Sequence, residues 1–230
     1  MSQEQWTAVD DYFETYFIAD DPILAEALSD SEKAGLPEIN VAPNQGKLLM
    51  LLAQMQGAKS ILEIGTLGGY STIWLGRALP DDGQLISLEM NPDCVKVARE
   101  NIARAGLDDK VTIIEGVALD NLPTLLDDAP FDFIFIAADK PNNPPYFEWA
   151  MKLSRSGTII IIDNVVRDGE VANPDSTDEK VQGVQQVTEL IANDALKLSL
   201  LITDNLGLDS MLAPMEYFAK ADLLIQQHKY

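Results

Sequence analysis

A glycine-rich turn and an acid that follows it could together bind a ribose-bearing ligand. The turn EIGTLGGYS, residues 63–71, lies between a predicted strand and a predicted helix, where backbone N–H groups can face a ligand. Glu89 comes 24 residues after Gly65, at the end of the next predicted strand. Doubly wound folds place at this position a carboxylate that accepts hydrogen bonds from ribose hydroxyls. A glycine turn alone can be a tight connection, and Glu89 alone an exposed strand-end acid, so the prediction depends on both features.

The spacing of the glycines argues against a dinucleotide ligand. After Gly65 the next glycines, Gly68 and Gly69, are adjacent, so the turn lacks the G-x-G-x-x-G pattern that cradles a pyrophosphate. The chain also has no Tyr-x-x-x-Lys pair and no histidine placed to protonate an alkoxide. A nicotinamide-dependent oxidoreductase is therefore the less favoured interpretation of the turn.

Five continuous apolar runs predict strands that helices cover on both faces. They are ILEIG (61–65), LISLEM (85–90), VTIIEG (111–116), FDFIFIA (131–137) and GTIIIID (157–163). Helical segments are predicted between them at 70–79, 91–105, 119–126 and 145–154. This alternation predicts a doubly wound, Rossmann-like parallel sheet with right-handed crossovers.

The two ends of the chain complete the predicted fold. Helical spacing of apolar residues predicts N-terminal helices at 3–18 and 22–29, a further helix at 46–56, and a later one at 178–194. The strands LKLSLLIT and MLAPM follow, and the short connection between them predicts an antiparallel pair at one edge, before a terminal helix EYFAKADLLIQQ. The predicted fold is α/β, with a mostly parallel seven-stranded sheet, an antiparallel edge strand and N-terminal helices. We expect one domain over residues 1–230, with a helical and loop cover at 1–45 and the core at 46–230.

Composition limits the partners of the chain. Sixteen Lys and Arg against 37 Asp and Glu give a formal charge of -21, which repels nucleic acid and anionic membrane surfaces. The single cysteine, Cys94, and the single histidine, His228, allow neither an internal disulfide nor a Cys/His metal cluster. The acidic N-terminus is unlike a signal peptide and no apolar run approaches the ~20 residues of a membrane helix, so we expect a cytoplasmic protein.

Five motifs in order make the chain similar to a known family. They are ILEIGTLGGYSTIWL, SLEMNP, EGVALD, FDFIFIAADKPNN followed by Tyr146, and IIIDNVVRDGEV. Between about residues 41 and 171 the chain resembles the class I S-adenosylmethionine-dependent O-methyltransferases, specifically the catechol and caffeoyl-CoA O-methyltransferases and their bacterial relatives. The resemblance implies S-adenosylmethionine (SAM) as cofactor and a small hydroxylated aromatic acceptor of the catechol or caffeoyl kind. The family also implies a homodimer, for which the apolar N-terminal helices offer a surface. The same periodicity equally describes helices that pack on their own domain.

The resemblance assigns cofactor contacts to the carboxyl ends of the strands and to the loops that cover them. Glu63, Gly65 and Thr66 match the methionine end of the cofactor, Ser71 its carboxylate, and Glu89 its ribose. Met90, Val117 and Ala118 match the positions beside the adenine, and Val41 one that reaches the cofactor through its backbone. Asp139 matches a residue near the cofactor and the reacting groups.

The resemblance also implies how the acceptor is activated. A phenol with a pKa near ~10 needs help to lose its proton at pH 7, and in the family a divalent cation and a lysine supply it. Lys140 matches the lysine, and Asp163 and Asn164 match two of the metal ligands, which would bind Mg²⁺, Mn²⁺ or Ca²⁺. Family members have an aspartate as a third ligand where this chain has Ala137. The alternatives left open are a weaker metal site and a SAM-binding protein with little or no transferase activity.

Overall fold

The computed structural model describes residues 3–193 and 201–203. Three helices precede the first strand, namely α1 (Gln3–Phe17), α2 (Pro22–Lys33) and α3 (Pro43–Gln56). Asp21 begins α2 because its side chain accepts hydrogen bonds from the N–H groups of Ile23 and Leu24. Gly57 ends α3 in the left-handed conformation that glycine adopts at little cost. The predicted N-terminal helices are confirmed, with α2 four residues longer and α3 beginning three residues earlier than predicted.

The described part of the chain then alternates between strands and helices. The elements are β1 (Ser60–Ile64), α4 (Tyr70–Ala78), β2 (Gln84–Glu89), α5 (Pro92–Arg104), β3 (Val111–Glu115), α6 (Ala118–Asn121), β4 (Phe131–Ile136), α7 (Asn143–Lys152), β5 (Ser154–Asp163), α8 (Glu179–Asn193) and β6 (Leu201–Thr203). Three 3-10 segments, Leu122–Asp127, Lys140–Asn142 and Arg167–Ala172, lie in the connections. Among the described helices, none is long and apolar enough to cross a membrane.

The sheet has the strand order β3-β2-β1-β4-β5-β6, and all five pairings between these strands are parallel. The predicted Rossmann-like parallel sheet is confirmed, with six described strands instead of seven. The predicted antiparallel strand, MLAPM, and the terminal helix lie outside the described residues. The prediction of a single helix at 119–126 was wrong, because the segment divides into α6 and the 3-10 segment Leu122–Asp127. The division lies at Pro123, which has no N–H for a helical hydrogen bond.

The two faces of the sheet pack into separate hydrophobic clusters. Phe133, Phe135 and Ile161 face one cluster, with apolar residues of α3, α4 and α5. Ile134, Ile136 and their neighbours face the other, with apolar residues of α7 and α8. Because both faces are covered, the central strands are apolar at most of their positions, as the continuous runs predict.

Helix α8 packs directly against the backbone of the 3-10 segment Lys140–Asn142, which follows β4. Gly183 of α8 is buried, and a Cβ atom built there would lie 2.1 Å from the carbonyl oxygen of Lys140. Real Cβ atoms do not approach backbone so closely, so α8 can reach this position only with glycine. The segment that carries Lys140 is therefore fixed by a helix from the far end of the described chain.

We predict that Gly183→Ala destabilises the protein although alanine is the better helix former. The added methyl group must displace α8 or the Lys140 backbone, at a cost of about 1–3 kcal/mol that outweighs a propensity gain of about 1 kcal/mol. Chemical denaturation measures the free energy of unfolding. Gln186→Ala, at an exposed position of the same helix, is the matched control and should not lose stability. A Gly183→Ala protein as stable as the wild type would contradict the close packing.

Candidate active site

The candidate residues meet at the carboxyl ends of neighbouring strands. β1 and β4 are adjacent, while the chain continues from β1 to β2 on one side and from β4 to β5 on the other. Such a reversal in strand order opens a crevice beyond the strand ends, where ligands of doubly wound folds bind. The glycine turn follows β1, and Asp139 and Lys140 follow β4, so the structure brings both predicted groups to this crevice.

Gly65 holds the glycine turn against the end of β4. Its φ of 99° is unfavourable for other residues, and its N–H donates to the carbonyl of Leu88 at 2.9 Å. A Cβ atom at this position would lie 3.0 Å from the backbone of Ala137 and Ala138. Glycine therefore allows the turn and the segment before Lys140 to approach each other directly.

Glu89 organises the turn through backbone hydrogen bonds. Its Oε2 accepts from the N–H groups of Thr66 at 3.1 Å and Leu67 at 2.9 Å, and its Oε1 accepts from the N–H of Asn91 at 2.9 Å. Two N–H groups that could have faced a phosphate are therefore directed at a carboxylate. The turn presents negative charge to the crevice, the opposite of an anion-binding cradle.

Glu63 lies beneath the turn and is completely buried. Its Oε1 accepts a hydrogen bond from the Ser71 hydroxyl at 2.6 Å. Its Oε2 accepts from the hydroxyls of Thr72 at 2.5 Å and Ser87 at 2.7 Å. Burial raises the pKa of Glu63 to about 7, although the hydroxyl donors oppose the shift.

Apolar surface lies open beside Glu89. The Met90 side chain, at the end of β2, is 66% exposed, and Val117, after β3, is 48% exposed. Ala118 begins α6 and is buried. Since β2 and β3 are neighbours, Met90 and Val117 can border a flat ring at the edge of the crevice. Val41, in contrast, is buried within the first hydrophobic cluster.

Lys140 and Asp139 have different surroundings. The Lys140 side chain is 6% exposed overall, and its Nζ donates to the carbonyl of Ala138 at 3.0 Å. Asp139 is exposed and accepts hydrogen bonds from the Tyr146 hydroxyl at 2.7 Å and the Asn142 amide at 2.5 Å. Burial and the Asp139 carboxylate both raise the pKa of Tyr146, so that phenol keeps its proton. Lys140 thus has an enclosed amine, and the neighbouring Asp139 has a carboxylate that the hydrogen bond from Tyr146 of α7 holds in place.

Ala137 and Asp163 are neighbours on one face of the sheet. Phe135 pairs with Ile161 in the parallel register, and both contact the first cluster, so the residues two positions later share that face. Asp163 is buried, and its Oδ1 accepts a hydrogen bond from the Gln45 amide at 2.8 Å. Asn164 follows with a positive φ of 54°. Within the described residues, no group of three His, Cys, Asp or Glu side chains is arranged to hold a metal.

Three contacts of the site were not predicted from the sequence. Thr72 and Ser87 bind Glu63, and Gln45 binds Asp163 across 118 positions of the chain. A signal for Ser87 exists, since Glu63 and Ser87 are polar residues inside otherwise apolar strands, and they pair in the register of β1 and β2. Gln45 has no such signal, because its contact depends on how α3 packs on β5.

Known proteins similar to this chain agree with the geometry. Residues 14–208 match the model of a family described as O-methyltransferase. A catechol O-methyltransferase from Niastella koreensis is 48% identical over 204 residues, which cover 87% of this chain and 92% of the relative. The crystal structure of an O-methyltransferase from Bacillus cereus in complex with SAH has a TM-score of 0.83 and 53% identity, over 84% of this chain and 89% of that one.

A third relative was also solved with a ligand. The O-methyltransferase TomG from Streptomyces achromogenes, involved in tomaymycin synthesis and solved in complex with SAM, has a TM-score of 0.82 and 46% identity, over 85% of this chain and 88% of that one. Since the family model spans most of the sequence and the relatives share about half of their residues with it, the chain belongs to the O-methyltransferase family.

Proposed function

We propose that this O-methyltransferase takes its methyl group from SAM and transfers it to a hydroxyl of a small aromatic acceptor of the catechol type. The SAM and SAH complexes of two relatives support the cofactor. The name of the Niastella relative supports the acceptor class. The charge of -21 agrees with a small-molecule partner and disfavours nucleic acid.

The observation that carries the proposal is the engagement of the glycine turn by Glu89. Its Oε2 takes the N–H groups of Thr66 and Leu67, which a pyrophosphate would otherwise need. Glu63 adds a second carboxyl group beneath the turn. A ligand with a ribose, no phosphate and a positive charge suits this site, and SAM has all three properties.

Residues at the strand ends would each bind a different part of SAM. We assign the methionine end to Gly65, Thr66 and Ser71, at the turn and the start of α4, and the ribose to Glu89. The adenine would lie against Met90 and Val117, whose side chains are exposed beside β2 and β3. Ala118 and the backbone of Val41 would complete this part of the site.

The acceptor would bind beside the end of β4. When bound, SAM would supply a methyl group activated by its sulfonium, and the acceptor oxygen would bond to that carbon as the carbon–sulfur bond breaks and SAH leaves. We assign to Lys140 the removal of the hydroxyl proton, because its amine is enclosed at the strand end and is held by the Ala138 carbonyl. Asp139 would position this segment through its hydrogen bonds to Tyr146 and Asn142.

The donor set fits a catalytic divalent cation poorly. Of the two family metal ligands present, Asp163 and Asn164, Asp163 alone has a carboxylate, and its Oδ1 already accepts a hydrogen bond from Gln45. Ala137, its neighbour on the same face, supplies no oxygen. Mg²⁺ can bind through one or two carboxylates and water, but charge count sets the affinity of such sites. We therefore assign no step to a metal.

We further propose that the chain folds as one domain and forms a homodimer. Helix α1 carries Tyr12, Tyr16 and Phe17 with 58%, 68% and 59% of their surfaces exposed. Three large aromatic residues on one helix favour burial in an interface. Light scattering after size-exclusion chromatography measures the mass, and a particle of one chain would contradict the dimer.

We predict that Glu89→Gln weakens SAM binding about 10- to 100-fold. The substitution removes the charge of the ribose acceptor, and hydrogen bonds to charged groups contribute about 1.5–3 kcal/mol. Isothermal titration calorimetry with SAM and SAH measures the affinity. Glu115→Gln is the matched control, because Glu115 pairs with Glu89 in the register of β2 and β3 and makes the same change of charge. Equal affinity of both variants for SAM would refute the assignment.

We predict that Lys140→Met lowers methyl transfer to catechol or caffeate about 10²- to 10⁴-fold, the usual contribution of a general base. Because Lys140 is assigned to the acceptor side, the affinity for SAM should stay within about twofold. Single-turnover kinetics and calorimetry measure the two quantities. Lys96→Met changes an exposed lysine and should leave both unchanged. Loss of SAM binding in Lys140→Met would instead place Lys140 in the cofactor site.

We predict that Ala137→Asp creates a metal site that the wild type lacks. The new carboxylate would lie beside Asp163 on the same face, and its charge should increase Mn²⁺ affinity at least about tenfold. Electron paramagnetic resonance of Mn²⁺ measures binding. Ala138→Asp adds the same charge at a position that packs against the opposite cluster, so it should not bind the metal more tightly. Wild-type binding as tight as that of Ala137→Asp would show that Asp163 and Asn164 suffice.

A further inference from the structure

A carboxyl group without solvent contact lies in the middle of the sheet. Glu63 is 0% exposed and pairs with Ser87 of β2 on one side and Phe135 of β4 on the other. Burying a charged carboxylate is costly unless hydrogen bonds compensate. Its hydroxyl partners, Ser71, Thr72 and Ser87, are buried as well. Glu63 is thus enclosed by the protein itself and reaches the crevice through its partners.

The hydrogen bonds of Glu63 extend to both ends of the proposed cofactor site. On one side Ser71, at the start of α4, donates to Oε1. On the other side Ser87 donates to Oε2 and shares a 2.5 Å hydrogen bond with the Thr66 hydroxyl. The N–H of Thr66 in turn donates to Glu89. Ser87 and Thr66 therefore connect the buried carboxyl group of Glu63 to Glu89, the carboxylate assigned to the ribose.

We infer that Glu63 is a positioning residue whose proton couples cofactor binding to pH, so that SAM binds the ionised form and releases this proton. The inference rests on the proposed SAM-binding function. When ionised, Glu63 accepts from all three hydroxyls at once. When protonated, it must donate one hydrogen bond, and one of these hydroxyls has to turn and accept it. The orientation of Ser71 or of the Ser87–Thr66 pair then changes, and with it the surface offered to the cofactor.

The charges around Glu63 place this proton near neutral pH. Burial and, to a smaller extent, the negative charge of Glu89 raise its pKa to about 7 against the effect of the hydroxyl donors. In the described part of the chain, β4 presents Phe135 to it and α4 presents Ser71 and Thr72. Asp139 and Lys140 lie beyond the end of β4, and Arg77 of α4 pairs with Asp21. A cationic ligand entering the crevice would oppose the repulsion by Glu89 and favour the ionised form.

The sign of the pH effect follows from this shift. The folded protein keeps a proton on Glu63 at pH values between its ordinary pKa of 4.5 and about 7. Stability from this group is therefore fully present below pH ~4.5 and is lost as pH rises through about 7. SAM affinity changes in the opposite direction, because at higher pH no proton has to be released.

The test compares the wild type with Glu63→Gln, which keeps the size of the side chain and has no proton to release. Calorimetry with SAM at pH 6, 7 and 8, in two buffers of different ionisation heat, measures affinity and proton release. We expect wild-type affinity to rise about tenfold at most between pH 6 and 8, with up to one proton released per SAM at pH 6. Glu63→Gln should show neither effect, and Glu115→Gln should behave like the wild type. Equal pH profiles for wild type and Glu63→Gln would overturn the inference.

Two further measurements keep the outcome decisive. Ser87→Ala removes one donor from the Glu63 carboxylate, so the rise in affinity should move to higher pH, and an unmoved profile counts against the coupling. The Tm of the ligand-free wild type should fall more steeply from pH 5 to 8 than that of Glu63→Gln. If the wild type binds neither SAM nor SAH, the proposed function fails, while the Tm comparison still decides whether Glu63 holds the proton.

Discussion

The architecture of the site depends on one carboxylate that holds a glycine turn by its backbone. Glu89 accepts the N–H groups of Thr66 and Leu67, so the turn curves over the end of β2 and its donors point inward. Gly65, at the start of the turn, then contacts the backbone at Ala137 and Ala138. The same turn thus fixes the ribose acceptor and defines the distance to the strand end that carries Lys140. A turn of similar sequence without this acid would leave its N–H groups free for a phosphate.

The electrostatics of the crevice follow from this arrangement. Glu63 and Glu89 lie in one hydrogen-bonded chain, and the negative charge of Glu89 makes ionisation of Glu63 more costly. Such a pair is tolerated because hydroxyl and backbone donors satisfy the oxygens, and a bound cation would reduce the remaining repulsion. A protein whose formal charge is -21 does not need these acids for solubility. The burial of Glu63 and the partial burial of Glu89 instead favour a positively charged ligand over an anionic one.

The sequence predicts the fold well where the physical signal is local. The runs before Gly65 and Asp163 are continuous and apolar because helices cover both faces of those strands, so the strands and their order along the chain could be read directly. The division of the segment at Pro123 could also have been foreseen, since proline has no N–H. The contact between Gln45 and Asp163 could not, because it joins α3 and β5 only after the sheet has formed. Likewise the sequence did not predict that the carboxylate oxygens of Glu63 accept hydrogen bonds from three protein hydroxyls, while its contact with the cofactor stays a prediction.

The two halves of the sheet are assigned to different ligands, one to SAM and the other to the acceptor. Apart from Val41, the residues assigned to SAM lie at the ends of β1, β2 and β3 or follow them, and those assigned to the acceptor follow β4. Replacement of a family metal ligand by Ala137 therefore changes the acceptor half, and the Glu63–Glu89 chain on the other side remains intact. Beyond the paired strands β1 and β4, Gly65 is a point where the halves meet, because it lies against the backbone of Ala137 and Ala138. A chain built this way can change how it activates its acceptor and keep the cofactor site unaltered.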